Sequence, residues 1–128
     1  MTSSAHASIL ILEDDDAFRR FLVRTLSDAG YTIVDTANAA EAIKRLHGPA
    51  SFDLLIADIK MPGLQPHGVN VGNVALNLPR GPKVVYITGD PGQVPRGFVD
   101  PVKTPLLAKP IRSEALLDAV RKALAPRG

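Results

Sequence analysis

Ser8-Ile9-Leu10-Ile11-Leu12-Glu13 decides the architecture: it is a short apolar run, with no polar residue alternating through it, that stops in acids. A strand with one face in water alternates apolar and polar side chains. A strand covered on both faces reads as a continuous apolar run, which is the habit of parallel sheets. Phe52-Asp53-Leu54-Leu55-Ile56-Ala57-Asp58 repeats the pattern and is again acid-tipped. Tyr31 to Ala37, Pro82 to Thr88 and the short Leu106 to Ala108 complete five candidate strands.

Helical patterns fill most of the intervals. Phe18, Phe21, Leu22, Thr25, Leu26 and Ala29 fall on one helical face, with Asp15 or Asp16 placed to cap its start and Gly30 to stop it. Asn38 opens a second helix, with Glu41 at capping-box spacing and Arg45 one turn beyond for an ion pair. Gly48-Pro49 ends it. Ser113 is placed to cap a last helix that turns Leu116, Leu117, Val120 and Leu124 inward. The middle is weaker: Val69 to Leu78 has helical spacing but carries Gly72, Asn70, Asn73 and Asn77, all poor helix formers. Gly89 to Pro105 holds four prolines and three glycines, so no full helix is expected there, and Pro91 to Pro105 is expected to be a mobile loop, or at most one short turn. Strand and helix alternate about five times. The fold class is therefore α/β, a doubly wound five-stranded parallel sheet with helices on both faces and the fourth helix short or absent.

The chain has 128 residues, 45% of them hydrophobic, which suits one domain with its core at about residues 7–125. No linker or repeat interrupts it, and no second or output domain is expected. The absence of cysteine excludes disulfides and thiolate metal sites. Met1 to Ser8 lacks the charged and apolar regions of a signal peptide, and no apolar run approaches the roughly 20 residues that span a bilayer. A cytoplasmic protein without a membrane partner is the expectation. Fifteen basic residues against 13 acidic ones give a net charge of +2, and aromatics are only 5%. Nucleic-acid surfaces cluster basic side chains with stacking rings, so nucleic acid is not an expected partner.

Ligands of such sheets bind beyond the carboxyl ends of the strands, where the strand order reverses. Strand one delivers Glu13 and Asp14 to that edge, strand three Asp58, strand four Thr88 and strand five Lys109. Three carboxylates repel one another, and a hard divalent cation such as Mg²⁺ relieves the repulsion with oxygen ligands. The remaining carboxylate is then free to attack phosphorus, while an ammonium and a hydroxyl stabilise the transferred oxygens. Each residue alone has a plainer reading. Glu13 and Asp14 suit a helix start, Asp58 a turn, and Lys109 a solvated surface. Only the ordered set carries the chemistry. His6, His47 and His67 have no metal-ligand spacing, and His67 in the loop after Asp58 reads as a solvated residue.

The set Glu13-Asp14, Asp58-Ile59-Lys60-Met61-Pro62-Gly63, Thr88-Gly89 and Lys109-Pro110 resembles the receiver domain of bacterial two-component response regulators, over nearly the full length. The resemblance implies that Asp58 is the phosphoacceptor. It implies that Glu13, Asp14, Asp58 and the backbone carbonyl of Lys60 hold Mg²⁺, with Mn²⁺ as a possible substitute, Asp14 directly and Glu13 through water. It implies that Thr88 and Lys109 bind the phosphoryl group and that the bond before Pro110 is cis. It also implies a histidine kinase or histidine phosphotransfer protein as donor, and no enzymatic activity beyond the domain's own phosphoryl transfer and dephosphorylation. Signalling would then run through an unknown downstream protein, or the domain would act as a phosphate sink. A weak homodimer is compatible with the same reading.

Three features depart from the family pattern. Leu106 occupies the switch position where many receivers carry Tyr or Phe. Pro91 to Pro105 cannot form the usual fourth helix, which is similar to receivers with Thr-Gly after strand four, found among stress-response regulators and attached to hybrid histidine kinases. The loop Gly63-Leu64-Gln65-Pro66-His67-Gly68 lacks the usual Asp-Gly and reads as lengthened. These departures leave open a pseudo-receiver, an interaction module that is never phosphorylated. A phosphatase of the haloacid-dehalogenase type also matches Asp14-x-Asp16, but Phe18 stands where that motif wants Thr or Val, and the chain is short for that fold.

Overall fold

Five strands lie parallel in the order β2-β1-β3-β4-β5: β1 (Ser8–Leu12), β2 (Thr32–Thr36), β3 (Leu54–Asp58), β4 (Lys83–Thr88) and β5 (Leu106–Ala108). The architecture comes from a computed structural model that describes residues 7–59, 67–93 and 104–125. Among the described residues four helices accompany the sheet: α1 (Asp16–Asp28), α2 (Ala39–His47), α3 (His67–Asn77) and α4 (Ser113–Leu124). None of the helices among the described residues is long and apolar enough to cross a membrane.

Successive residues of β1, β3 and β4 feed two separate cores, which is why these three strands read as nearly continuous apolar runs. Ile9, Ile11, Leu54, Ile56, Val85 and Ile87 pack with Leu22 and Leu26 of α1 and with Leu116 and Val120 of α4. Leu10, Leu12, Leu55, Ala57, Val84 and Tyr86 pack on the opposite face with Ala42 and Leu46 of α2 and with Val71 and Ala75 of α3. The sheet is thus sandwiched, as its continuous hydrophobicity requires.

Local chemistry sets the helix ends. Asp15 is the N-cap of α1, and its side chain accepts the N–H groups of Ala17 and Phe18. At the other end Gly30, at φ 101°, permits a Schellman turn: Gly30 N–H donates to Ser27 O and Tyr31 N–H to Leu26 O. Asn38 caps α2 by accepting the Glu41 N–H, and Glu41 pairs with Arg45 at 3.1 Å.

Two sequence readings need correction. Ala29 is the exposed C-cap of α1 and does not face the core, because the helix ends at Asp28 and the chain reverses at Gly30. Ser113 is the first residue of α4, with Arg112 at the cap position and no side-chain cap bond, so its hydroxyl lies one residue too late to close the helix.

Gly72, a poor helix former on propensity, sits in α3 where a Cβ would collide with the Tyr86 phenol. Tertiary packing requires the glycine there, and the helix forms around it. Between β4 and β5 the described chain makes one 3₁₀ turn, Pro91–Gln93, in place of the start of a helix. The expectation of a mobile loop through Pro105 falls mainly on 94–103, outside the described residues. Most of the lengthened loop after Asp58 (60–66) lies outside them too.

Candidate functional site

Strand register brings the acids together. Leu12 pairs with Ala57, so Glu13 and Asp58 leave the sheet at neighbouring positions, and Asp14 follows in the β1–α1 turn. One carboxylate oxygen from each of Glu13, Asp14 and Asp58 lies within 4.8 Å of the others. Glu13 is fully buried and Asp58 nearly so, at 3% exposure, whereas Asp14 is half-buried. Lys109, immediately after β5, reaches in from the far side. Its Nζ lies 2.7 Å from Glu13 Oε1 and 3.2 Å from Asp58 Oδ2. The backbone brings it there: β4 pairs with β5, the Lys109 N–H donates to Thr88 O, and the Lys109-Pro110 bond is cis.

The electrostatics follow from this crowding. Burial raises the Glu13 carboxyl above its ordinary value; bonds from Lys109 and from the Asp15 N–H oppose that, and the Asp58 charge adds to it. Burial also raises Asp14, and the adjoining Glu13 carboxylate reinforces the effect. For Lys109 burial acts downward, but Glu13 and Asp58 outweigh it, and the net shift is upward. Among the described residues, one ammonium therefore faces three carboxylates. A compact, mostly buried group of hard oxygen donors with too little positive charge fits a small divalent cation such as Mg²⁺.

Thr88 ends β4, one strand over from Asp58, and is 1% exposed; its hydroxyl accepts the Asp90 N–H at 3.0 Å. Leu106 sits in register with Tyr86 and packs, half-buried, against the core shared with α2 and α3. The Lys60 carbonyl lies outside the described residues, and the His67 side chain is not described.

Sequence reading missed two contacts. Phe18, read only as core, places its ring 4.6 Å from the Lys109 ammonium. It also lines, with Phe21, Gly89, Pro110 and Ile111, an open cleft of about 410 Å³ beside that lysine. Arg19, not singled out, donates to the Glu13 carbonyl at 2.9 Å. Phe18 follows the acids at helical spacing, and that was its only signal. Arg19 had none without the fold.

A doubly wound sheet whose carboxyl edge gathers three acids and a lysine places the chain among parallel α/β domains with an acidic pocket at that edge. Residues 9–121 match the response regulator receiver domain family, and the chain belongs to it. It is a receiver domain of two-component systems. It is 34% identical over 117 residues to the response regulator receiver protein CpdR of Brucella abortus (strain 2308), covering 91% of this chain and 95% of that protein. Other relatives are longer: the transcriptional regulatory protein DctD of Rhizobium meliloti (strain 1021), 29% identical, is matched over 94% of this chain but only 26% of its own length. Among solved structures, the receiver domain of the hybrid histidine kinase CckA superimposes with a TM-score of 0.73 at 28% identity, covering 92% of this chain and 99% of that one. The response regulator TrrA of Thermotoga maritima, in complex with Mg²⁺-BeF, gives 0.76 at 26% identity, with 92% and 99% covered. Receiver domains generally bind Mg²⁺ at an acidic pocket, and this chain has the corresponding acidic cluster.

Proposed function

We propose that this domain accepts a phosphoryl group on Asp58 in an Mg²⁺-dependent transfer from a histidine kinase or histidine phosphotransfer protein. The carrying observation is the convergence of the Glu13, Asp14 and Asp58 oxygens within 4.8 Å, with Lys109 against two of them. Asp14, the more accessible acid, would hold the cation directly, together with Asp58 and, by family resemblance, the carbonyl of Lys60. Glu13, fully buried and paired with Lys109, acts from behind. When bound, Mg²⁺, or Mn²⁺ in its place, would supply charge neutralisation at the phosphoryl oxygens. An Asp58 oxygen forms the new bond to phosphorus as the bond from phosphorus to the donor imidazole nitrogen breaks, and the imidazole leaves with the electron pair. Lys109, already 3.2 Å from Asp58 Oδ2, pairs with one phosphoryl oxygen, and Thr88 donates its hydroxyl to another. The complex of TrrA with Mg²⁺-BeF supports the reading at the level of a relative.

The domain performs no chemistry beyond its own phosphorylation and hydrolysis, acts in the cytoplasm, and passes its state to a downstream protein or drains phosphate from a relay. Leu106 lacks the ring of an aromatic switch, so the output runs through ordering near the site and not through an aromatic rotamer. Incubation with a small-molecule phosphodonor and Mg²⁺ tests the assignment. Wild-type protein should be labelled, and neither the Asp58→Asn variant nor an EDTA-treated sample should be. Labelling retained on D58N would overturn the choice of Asp58. A wild type that takes no label and shows no response to Mg²⁺ with beryllofluoride would point to the phosphorylation-independent pseudo-receiver.

A further inference from the structure

Arg19 lies on the first turn of α1 with its side chain only 17% exposed, and its guanidinium is shared among three acceptors on three separate segments. Nη1 donates to the backbone carbonyl of Glu13 at 2.9 Å, Nη2 to Asp16 Oδ1 at 2.7 Å, and Nε to Asp35 Oδ2 on β2 at 3.0 Å. The Glu13 N–H is held as well, donating to Thr36 O at 3.0 Å. The residue that begins the acidic pair is thus fastened at both its backbone groups, once by the neighbouring strand and once by Arg19.

We propose that Arg19 is a positioning residue for the acidic pair: by holding the Glu13 carbonyl it fixes the peptide plane between Glu13 and Asp14, and so places both carboxylates for the cation they share with Asp58. The inference rests on the metal site proposed above. A planar peptide has freedom only in the torsions at its two ends, so releasing this carbonyl lets the plane turn and swings the side chains on both sides of it. The ion pairs to Asp16 and Asp35 are partly solvated, and such pairs alone stabilise little. Their role is to aim the guanidinium, whose rigid fork serves several acceptors at once. A lysine has the charge without the fork.

Mg²⁺ binding is measured by calorimetry on the full chain without phosphodonor, for the wild type and for Arg19→Ala and Arg19→Lys, with circular dichroism to check folding. Outer partners of metal ligands affect affinity by roughly tenfold or more. Arg19→Ala should therefore raise the Mg²⁺ dissociation constant by about tenfold. Arg19→Lys should raise it several-fold, and it carries the test alone if the alanine variant does not fold. The half-saturating Mg²⁺ for Asp58 labelling should rise in parallel, while the rate at saturating Mg²⁺ stays close to wild type. A folded variant that binds Mg²⁺ as tightly as wild type, with only its thermal midpoint lowered, would reduce Arg19 to a structural clamp and overturn the proposal. A wild type that binds no Mg²⁺ would instead overturn the metal site beneath it.

Discussion

At the ammonium of Lys109 two carboxylates and an aromatic face converge, with Glu13 and Asp58 paired to it and the Phe18 ring 4.6 Å away. The ring holds the lysine without competing for its hydrogen-bonding protons, since its pull comes from the quadrupole. Across β4 another buried group is unusual for the opposite reason: Tyr86 carries a phenol into an apolar core, pressed against Gly72. Burial raises its pKa above the ordinary value of 10.0. The sign follows directly. In alkali the unfolded chain loses the Tyr86 proton first, so the stability this phenol contributes is intact below the unfolded pKa and is lost as pH rises through the folded one. From about pH 9 to about pH 11 the thermal midpoint of wild type should fall further than that of Tyr86→Phe. Lys109, also shifted upward, titrates in both proteins and cancels in the comparison. Equal falls would mean that the phenol ionises in the fold as readily as in the unfolded chain.

Within the elements, α1 does the most for the site. Asp15 starts it, Phe18 and Arg19 on its first turns reach Lys109 and Glu13, and Leu22 and Leu26 anchor it to the sheet. Its cap and that of α4 make an internal contrast. Asp15 accepts two backbone N–H groups, whereas Ser113 caps nothing. Asp15→Ala should cost about 1 kcal/mol in urea unfolding, and Ser113→Ala should stay within about 0.5 kcal/mol. A Ser113→Ala loss as large as that of Asp15→Ala would show a cap bond that the geometry lacks. The same pair marks what was legible in the sequence. The central strands β1, β3 and β4 were readable because each is buried on both faces, and Asn38 and Gly30 because caps and left-handed turns restrict residue type. Ser113 misled because a serine near a helix start looks the same one residue early or late. α3 was obscured because Gly72 and the asparagines are set by packing against Tyr86 and by solvent, which local propensity cannot see.

Over the whole molecule, the sheet delivers Glu13, Asp14 and Asp58 from two adjacent strands to one edge, and order along the chain made that set readable before any geometry. The partners that hold the set, Arg19 on α1 and Asp35 on β2, were not readable, because their contacts exist only once three elements have packed. Assembling the edge carries a stability cost. Among the described residues three carboxylates gather around Lys109, and the upward shifts of Glu13 and Asp14 report desolvation and repulsion there. Asp58→Asn removes one charge while keeping the side-chain size and an oxygen that Lys109 can still meet. In metal-free buffer the D58N variant should therefore melt above wild type, although it cannot be labelled, the usual opposition between function and stability at a charged site. Mg²⁺ should reverse the order. A cation bound only by the folded state adds about 2.7 kcal/mol at a hundredfold excess over its dissociation constant. Each kcal/mol moves the midpoint of a domain of this size by a few degrees. Titrating MgCl₂ should raise the wild-type midpoint by several degrees and that of D58N by distinctly less, because the variant has lost both a ligand and the repulsion the cation relieves. If D58N melts below wild type in EDTA and both proteins gain equally from Mg²⁺, the acids at this edge are neither in conflict with one another nor acting together on a cation.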